Sequence, residues 1–271
     1  MTVVAVVGDA ATTTSVAVAA GWPAAHDVVV LEADPRGGSL AGWLDTPAHP
    51  SLATVVATAG SGAERDHDSI LDAFEAMTRR SDSGLRFVAN AARSRAAHRA
   101  VEEAAVAVLP SIAAAPTIVI ADVGVHDAGR APSPALRVAD VVVIVHRQAA
   151  ASARAATVRI ERLVETAEEL AHLDAVFVLA VIGRAPFDPA EIGLFIEESV
   201  PGTVRTTVAL SDDPLAAATI AGRSGVSAKR LRRLPLMRDA SALAVELSAL
   251  VADGRRHLEA GTRRGEEQAS A

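Results

Sequence analysis

The stretch Val3–Ser15, VVAVVGDAATTTS, decides the fold: an apolar run breaks at Gly8, a short loop follows, and hydroxyl residues come next at Thr12, Thr13, Thr14 and Ser15. Strand, tight turn and helix N-terminus in that order are how α/β proteins hold phosphate. Set against the pattern GxxxxGK[ST], Gly8 supplies the first glycine and Ser15 the last hydroxyl. Thr13 stands at the second glycine and Thr14 at the lysine. The only lysine in 271 residues is Lys229, so no shift of register supplies one. Hydroxyl residues are also favoured at helix N-caps and first turns, which is an ordinary reason for the same run.

Outward from this stretch, VVVLEAD (Val28–Asp34) reads as a buried strand by its unbroken apolar run, and Pro35, Arg36, Gly37 and Gly38 form a turn. With a helix over Thr12–Gly21 this makes a βαβ unit, whose parallel strands bring Asp9 and Asp34 to one edge. Further strands are expected at Gly84–Asn90, Thr117–Asp122, Ala139–Arg147, Ala175–Gly183 and Thr203–Leu210. Helices alternate with them: one through Ile70, Leu71, Phe74 and Met77; Arg93–Leu109, closed by Pro110; one through Ile160, Leu163, Ala167 and Leu170; Pro189–Ser199; and a last one through Leu243, Leu247, Leu250 and Val251. Leu44–Arg65 reads mostly as loop, with a short helix at Leu52–Ala57. The alternation predicts an α/β fold with a doubly wound, mainly parallel sheet and helices on both faces. We expect one domain over 1–253 and a charged, disordered tail over 254–271.

Half of the residues are apolar, mostly Ala and Val, with no Tyr, five Phe and two Trp, which suits helices packed closely on a Val-rich sheet and disfavours base-stacking platforms. A formal charge of −7 disfavours a wrap-around nucleic-acid binder. The absence of Cys removes disulfides, thiolate metal sites and a Cys nucleophile. No HExxH or GxSxG pattern occurs, and a dinucleotide fingerprint fails on its second and third glycines. No apolar run reaches the ~18 residues of a membrane span, and no basic segment precedes the first strand, so a cytoplasmic protein is expected, with any membrane contact peripheral and a partner as one route to membrane or nucleoid. The one dense basic cluster, AKRLRRLP, presents Lys229, Arg230, Arg232 and Arg233 to DNA, anionic lipid or an acidic partner, or is a solvated turn.

Five segments in order, GDAATTTS (Gly8–Ser15), LEADPRGG (Leu31–Gly38), IVIADVG (Ile118–Gly124), ADVVVIVHRQAAAS (Ala139–Ser152) and DDPLAAATIAG (Asp212–Gly222), resemble the MinD/ParA group of P-loop ATPases, in particular its divergent actinobacterial branch with TadZ-type proteins. The first sits where that group carries KGGxGKTT, the second where it carries DxDPQG, the third at its Walker-B strand. The resemblance implies ATP and Mg²⁺ as cofactors. It implies nucleotide contacts along Gly8, Asp9, Ala10, Ala11, Thr12, Thr13, Thr14 and Ser15, metal contacts at Ser15, Asp34 and Asp122, and catalytic roles for Asp34 and Asp122.

The departures fall on the chemistry. Asp9 occupies the place of the group's signature lysine, Ala10 and Ala11 replace glycines, and Thr13 and Thr14 replace Gly and Lys. Each lost lysine removes charge-assisted bonds worth about 1.5–3 kcal/mol, and Asp9 sets a negative charge against a polyanion. Asp9, Glu32, Asp34 and Asp122 are expected to cluster at one sheet edge, where they repel one another or attract a divalent cation. The expected function is a positioning or assembly factor for chromosomes, septa, or pilus and secretion machinery, with weak or no ATPase activity. Two alternatives stand beside it: a slow Mg-dependent ATPase with a lysine-free loop, and a DNA-binding partition module without hydrolysis. The group dimerises across nucleotide through the lysine that Asp9 replaces, so a constitutive homodimer or a heteromer is expected instead.

Overall fold

Val-rich runs without polar interruption have no face to give to water, so they pair in the middle of a sheet. The structure, a computed structural model describing residues 2–59, 66–148 and 152–269, places them there. The strands are β1 (Val3–Gly8), β2 (Val28–Glu32), β3 (Arg79–Arg80), β4 (Arg86–Val88), β5 (Ile118–Gly124), β6 (Val141–Arg147), β7 (Val176–Ile182) and β8 (Val204–Leu210). They form one sheet in the order β3-β4-β2-β5-β1-β6-β7-β8. Every neighbouring pair is parallel except β3–β4. All seven residues of β5 are buried, as its place between β2 and β1 requires.

The helices are α1 (Ala11–Gly21), α2 (Leu40–Trp43), α3 (Leu52–Thr58), α4 (His67–Met77), α5 (Ser94–Glu103), α6 (Leu109–Ala114), α7 (Pro134–Arg137), α8 (Ala153–Leu170), α9 (Pro189–Ser199), α10 (Pro214–Ile220), α11 (Ala228–Leu231) and α12 (Pro235–Ala269). They cover both faces. One core joins Val3, Ala5 and Val7 of β1 to Leu52, Phe74, Val101, Leu163 and Ile192, which come from α3, α4, α5, α8 and α9. The other joins Val4 and Val6 to Val16, Leu40, Ala216 and Leu243, from α1, α2, α10 and α12. Period-two alternation along β1 thus feeds two separate layers. On the second face α1 and α12 pack closely: a Cβ at Gly21 would stand 2.9 Å from Ser241 Cα.

The structure departs from the sequence reading in several places. The helix expected to stop at Leu109 continues through Pro110 to Ala114, because a π-helical turn at 104–108 resets the ladder and leaves Pro110 in the first turn of α6, where its missing N–H matters least. Helix α12 extends to Ala269. The short helix expected at Leu52–Ala57 is present as α3, and residues 60–65 of the loop around it lie outside the described ones. The basic cluster begins with the short helix α11 rather than a plain turn.

Strand β1 lies between β5 and β6, so the chain leaves it toward opposite sides of the sheet at different times. The crevice where α/β folds place ligands therefore opens at the C-terminal ends of β1, β5 and β6.

Candidate functional site

Gly8 closes β1 at φ +127°, and a Cβ there would lie 2.1 Å from the Val145 carbonyl oxygen. Only glycine fits this turn, for backbone and contact reasons together. The Asp9 amide then donates to the Val145 carbonyl at 3.2 Å, tying the loop to β6. No side chain caps α1; its first backbone bond runs from the Thr14 amide to the Ala10 carbonyl at 3.0 Å, so the amides before Thr14 need partners from outside the helix. Thr14 and Ser15 are 1 % and 0 % exposed, and neither hydroxyl has a hydrogen-bond partner among the described residues.

The acids reach the same sheet edge, as the βαβ reading predicts, but each has its own engagement. Asp9 accepts from Arg159 Nη2 of α8 at 2.5 Å, and that same nitrogen donates to the Arg147 carbonyl at 3.1 Å. Asp34 is held by Arg36: Oδ1 accepts from its amide at 2.8 Å and from Nε at 3.1 Å, and Oδ2 accepts from Nη2 at 2.8 Å. Asp34 sits directly over Gly124, where a Cβ would lie 2.2 Å from Oδ2. Burial pushes Asp122 up to about 7, against the Thr12 hydroxyl and the Gly124 amide that donate to it; the nearby charges of Glu32 and Asp34 push the same way as burial.

Glu32 stands beside Asp122 in register across β2 and β5 but does not turn its carboxylate to the other acids. Its side chain is turned to backbone: Oε1 accepts from the amides of Ser39 at 2.5 Å and Leu40 at 2.7 Å, and Oε2 accepts from Asn90 at 2.9 Å. Burial raises its pKa, these three amides lower it, and Asp34 raises it again. It fastens the loop after β2, and the end of β4, to the sheet. Among the described residues, no group of three or more His, Cys, Asp or Glu is placed to hold a metal ion.

Two cavities flank the loop. One, of about 440 Å³, lies beside the N-terminus of α1 and is lined by Ala10, Thr13, Thr14, Arg147, Asp212, Asp213 and Arg223 among others. Within it Arg147 Nη2 donates to both Asp212 oxygens, at 2.9 and 3.0 Å. Asp213 caps α10, its Oδ1 accepting from the Ala216 amide at 3.0 Å. The other, of about 460 Å³, lies on the opposite face between β6, α8 and the loop after β5, with Asp9, His126, His146 and Arg159 in its wall. His126 Nε2 bonds Glu169 at 2.8 Å, and Glu169 also accepts from the Gly129 amide, so this loop is pinned to α8.

Sequence reading missed Arg36, Arg147 and Arg159. Arg36 was legible as the cation two residues after Asp34. Arg159 borders the apolar stripe of α8, and only the packing of α8 against β6 aims it at Asp9.

A parallel sheet covered on both faces, with a glycine turn leading from the central strand into a helix N-terminus, is the architecture of P-loop NTPase-like proteins. More narrowly, the fold is that of the ParA/MinD ATPases. The ParA family ATPase from Chlorobium tepidum TLS superposes with a TM-score of 0.62 at 16 % identity, over 90 % of this chain and 98 % of that one. The cell-division ATPase MinD of Pyrococcus furiosus gives 0.60 at 16 % identity, over 92 % and 99 %. The apo McdA of Cyanthece gives 0.57 at 15 % identity, over 91 % and 99 %. No family model matches the chain, and no curated protein sequence matches it.

Proposed function

We propose that this chain is a MinD/ParA-like positioning or assembly factor that hydrolyses ATP weakly or not at all. The observation that carries this is the fate of charge at the loop. The position of the signature lysine is an aspartate, and that aspartate is neutralised within the chain by Arg159. The donor set fits Mg-ATP poorly for the same reason: there is no loop lysine, and Asp34 is occupied by Arg36. With Asp9 bound in cis, nothing at this position reaches across to a second subunit's phosphate, which favours a constitutive homodimer or a heteromer over a nucleotide-bridged sandwich.

The test is phosphate release from Mg-ATP by the full chain, with and without DNA. Rapid turnover that disappears in Asp34→Ala would sink this reading. A second reading, a DNA-binding partition module, is favoured by one observation: Lys229, Arg230, Arg232 and Arg233 are exposed and make no ion pair among the described residues. It requires salt-sensitive retention on duplex DNA that weakens when Arg232 and Arg233 are neutralised, and it fails if the chain is not retained at low salt. Among the described residues, no helix is long and apolar enough to cross a membrane.

A further inference from the structure

The two edges of the sheet are finished differently. At one end stands β3, two residues long and made of Arg79 and Arg80, so brevity and charge both discourage a further strand. At the other stands β8, seven residues with Arg205 as its one charged side chain and no neighbour on its outer side among the described residues. The Leu210 carbonyl accepts from the Gly183 amide just past β7, so the backbone groups of Leu210 face inward. Alternation turns those of Ala209 and Thr207 outward. Arg205 is the bulged residue, with no partner in β7. This free stretch has definite limits: the Thr203 amide donates to the Val200 carbonyl at 3.3 Å, and the Ser211 amide to Asp239 at 2.8 Å. Helix α9, crossing from β7 to the parallel β8, runs antiparallel to both, with Gly193 against the Thr207 side chain. A groove of about 680 Å³ follows the edge. Arg184 and Asp188 lie at its Ala209 end, Arg205 and Glu197 at its Val204 end. All four are exposed, and neither arginine makes an ion pair among the described residues. Midway along, Leu194 is 65 % exposed.

We propose that β8 pairs antiparallel with β8 of a second copy of this chain, about a two-fold axis at Thr207, so that two sheets join into one. The alignment follows from the free groups. Thr207 faces its own equivalent, and Arg205 faces Ala209 of the second copy, each pair exchanging amide-to-carbonyl bonds. Centring on Thr206 or Val208 instead would call on the amides of Thr203 or Ser211, which the chain already uses. The same axis makes the groove self-complementary. It carries Arg205 to the end of the second copy where Asp188 lies, and Glu197 to the end where Arg184 lies, so opposite charges meet at both contacts. Leu194, next to the axis, meets its equivalent and leaves water. Such a contact is isologous and closes on two copies rather than growing into a fibre. Strands β6 and β7 separate it from the β1 loop, so it needs no nucleotide. The inference goes beyond the functional reading above by giving nucleotide-independent dimerisation a surface.

Sedimentation of the full chain in EDTA over a dilution series tests this. A dimer should form without nucleotide, and Mg-ATP should change its dissociation constant less than about threefold. Thr207→Pro removes the outward amide at the axis, on an edge strand where proline is tolerated, and should weaken the dimer about tenfold or more. Leu194→Asp, at an exposed helix position, should do the same and keeps the test decisive if the proline variant misfolds. Cross-linking reads the alignment. The chain has no cysteine, so Thr207→Cys should give a disulfide-linked dimer under mild oxidation. Arg205→Cys alone should not, since its equivalents lie on the order of 14 Å apart in this pairing. A monomer at every concentration, a dimer formed only with Mg-ATP, a dimer indifferent to both Thr207→Pro and Leu194→Asp, or cross-linking through Arg205→Cys in place of Thr207→Cys would overturn the proposal. Rapid ATP turnover would sink the functional reading of the preceding section but leaves the edge contact to be judged on these measurements alone.

Discussion

Glu32→Gln separates an acid that holds the fold from one that waits for a ligand. In the folded chain the carboxylate accepts from three backbone amides, those of Ser39, Leu40 and Asn90, in a site where the residue is 1 % exposed. A carboxamide of the same shape keeps its oxygen toward one side only. If it faces Ser39 and Leu40, its NH₂ group is set against the Asn90 amide, donor against donor. The lost charge-assisted bond is worth about 1.5–3 kcal/mol and the orphaned amide about 1–3 kcal/mol. The neutral side chain avoids the cost of burying a charge, which offsets part of this. We expect a net loss of about 2–4 kcal/mol for Glu32→Gln, and a larger one for Glu32→Ala, which strands all three amides. Denaturant unfolding at pH 7 measures it through the midpoint at constant slope. A loss below about 0.5 kcal/mol, typical of surface substitutions, would refute the structural role and return Glu32 to the ligand-binding acids.

Asp122 gives a pH dependence. Its folded pKa, about 7, lies above the ordinary 3.8, so the native state holds a proton that the unfolded chain has released, and stability falls as pH rises from about 4 through 7. The full span is about 4 kcal/mol as an upper bound; Asp122→Asn should flatten the profile, as unfolding at pH 5, 7 and 8.5 would reveal. Gly8→Ala should cost about 3 kcal/mol or more, since a Cβ would meet the Val145 carbonyl at 2.1 Å on a backbone at φ +127°; a thermal melt within a degree of the parent would contradict it. A double-mutant cycle on Asp9 and Arg159 should return a coupling of only about 0.3–1 kcal/mol, because the side chains are 39 % and 34 % exposed, and it should shrink with added salt.

The sheet was legible because its strands are unbroken Val-rich runs, and their ends match the structure to within a residue or two. Strand β3 was not legible: two arginines pairing with β4 carry no periodic signal. The continuation past Pro110 was hidden for a different reason, since a proline normally marks a helix boundary and the π-helical turn that removes the conflict leaves no sequence trace. At the site, Gly8, Asp34 and Asp122 were placed on the correct edge by their positions at strand ends. Their partners were not, because a sequence gives the address of a carboxylate and not the direction from which an arginine reaches it. Arg159 lies 150 residues from Asp9 along the chain.

Those partners decide what the edge can do. Four acids brought together without cations would repel one another, and the usual relief is a divalent ion. Here the chain provides the relief itself, by a different route for each: Arg159 for Asp9, Arg36 for Asp34, three amides for Glu32 and a proton for Asp122. A metal entering at Asp34 has to displace a bidentate guanidinium.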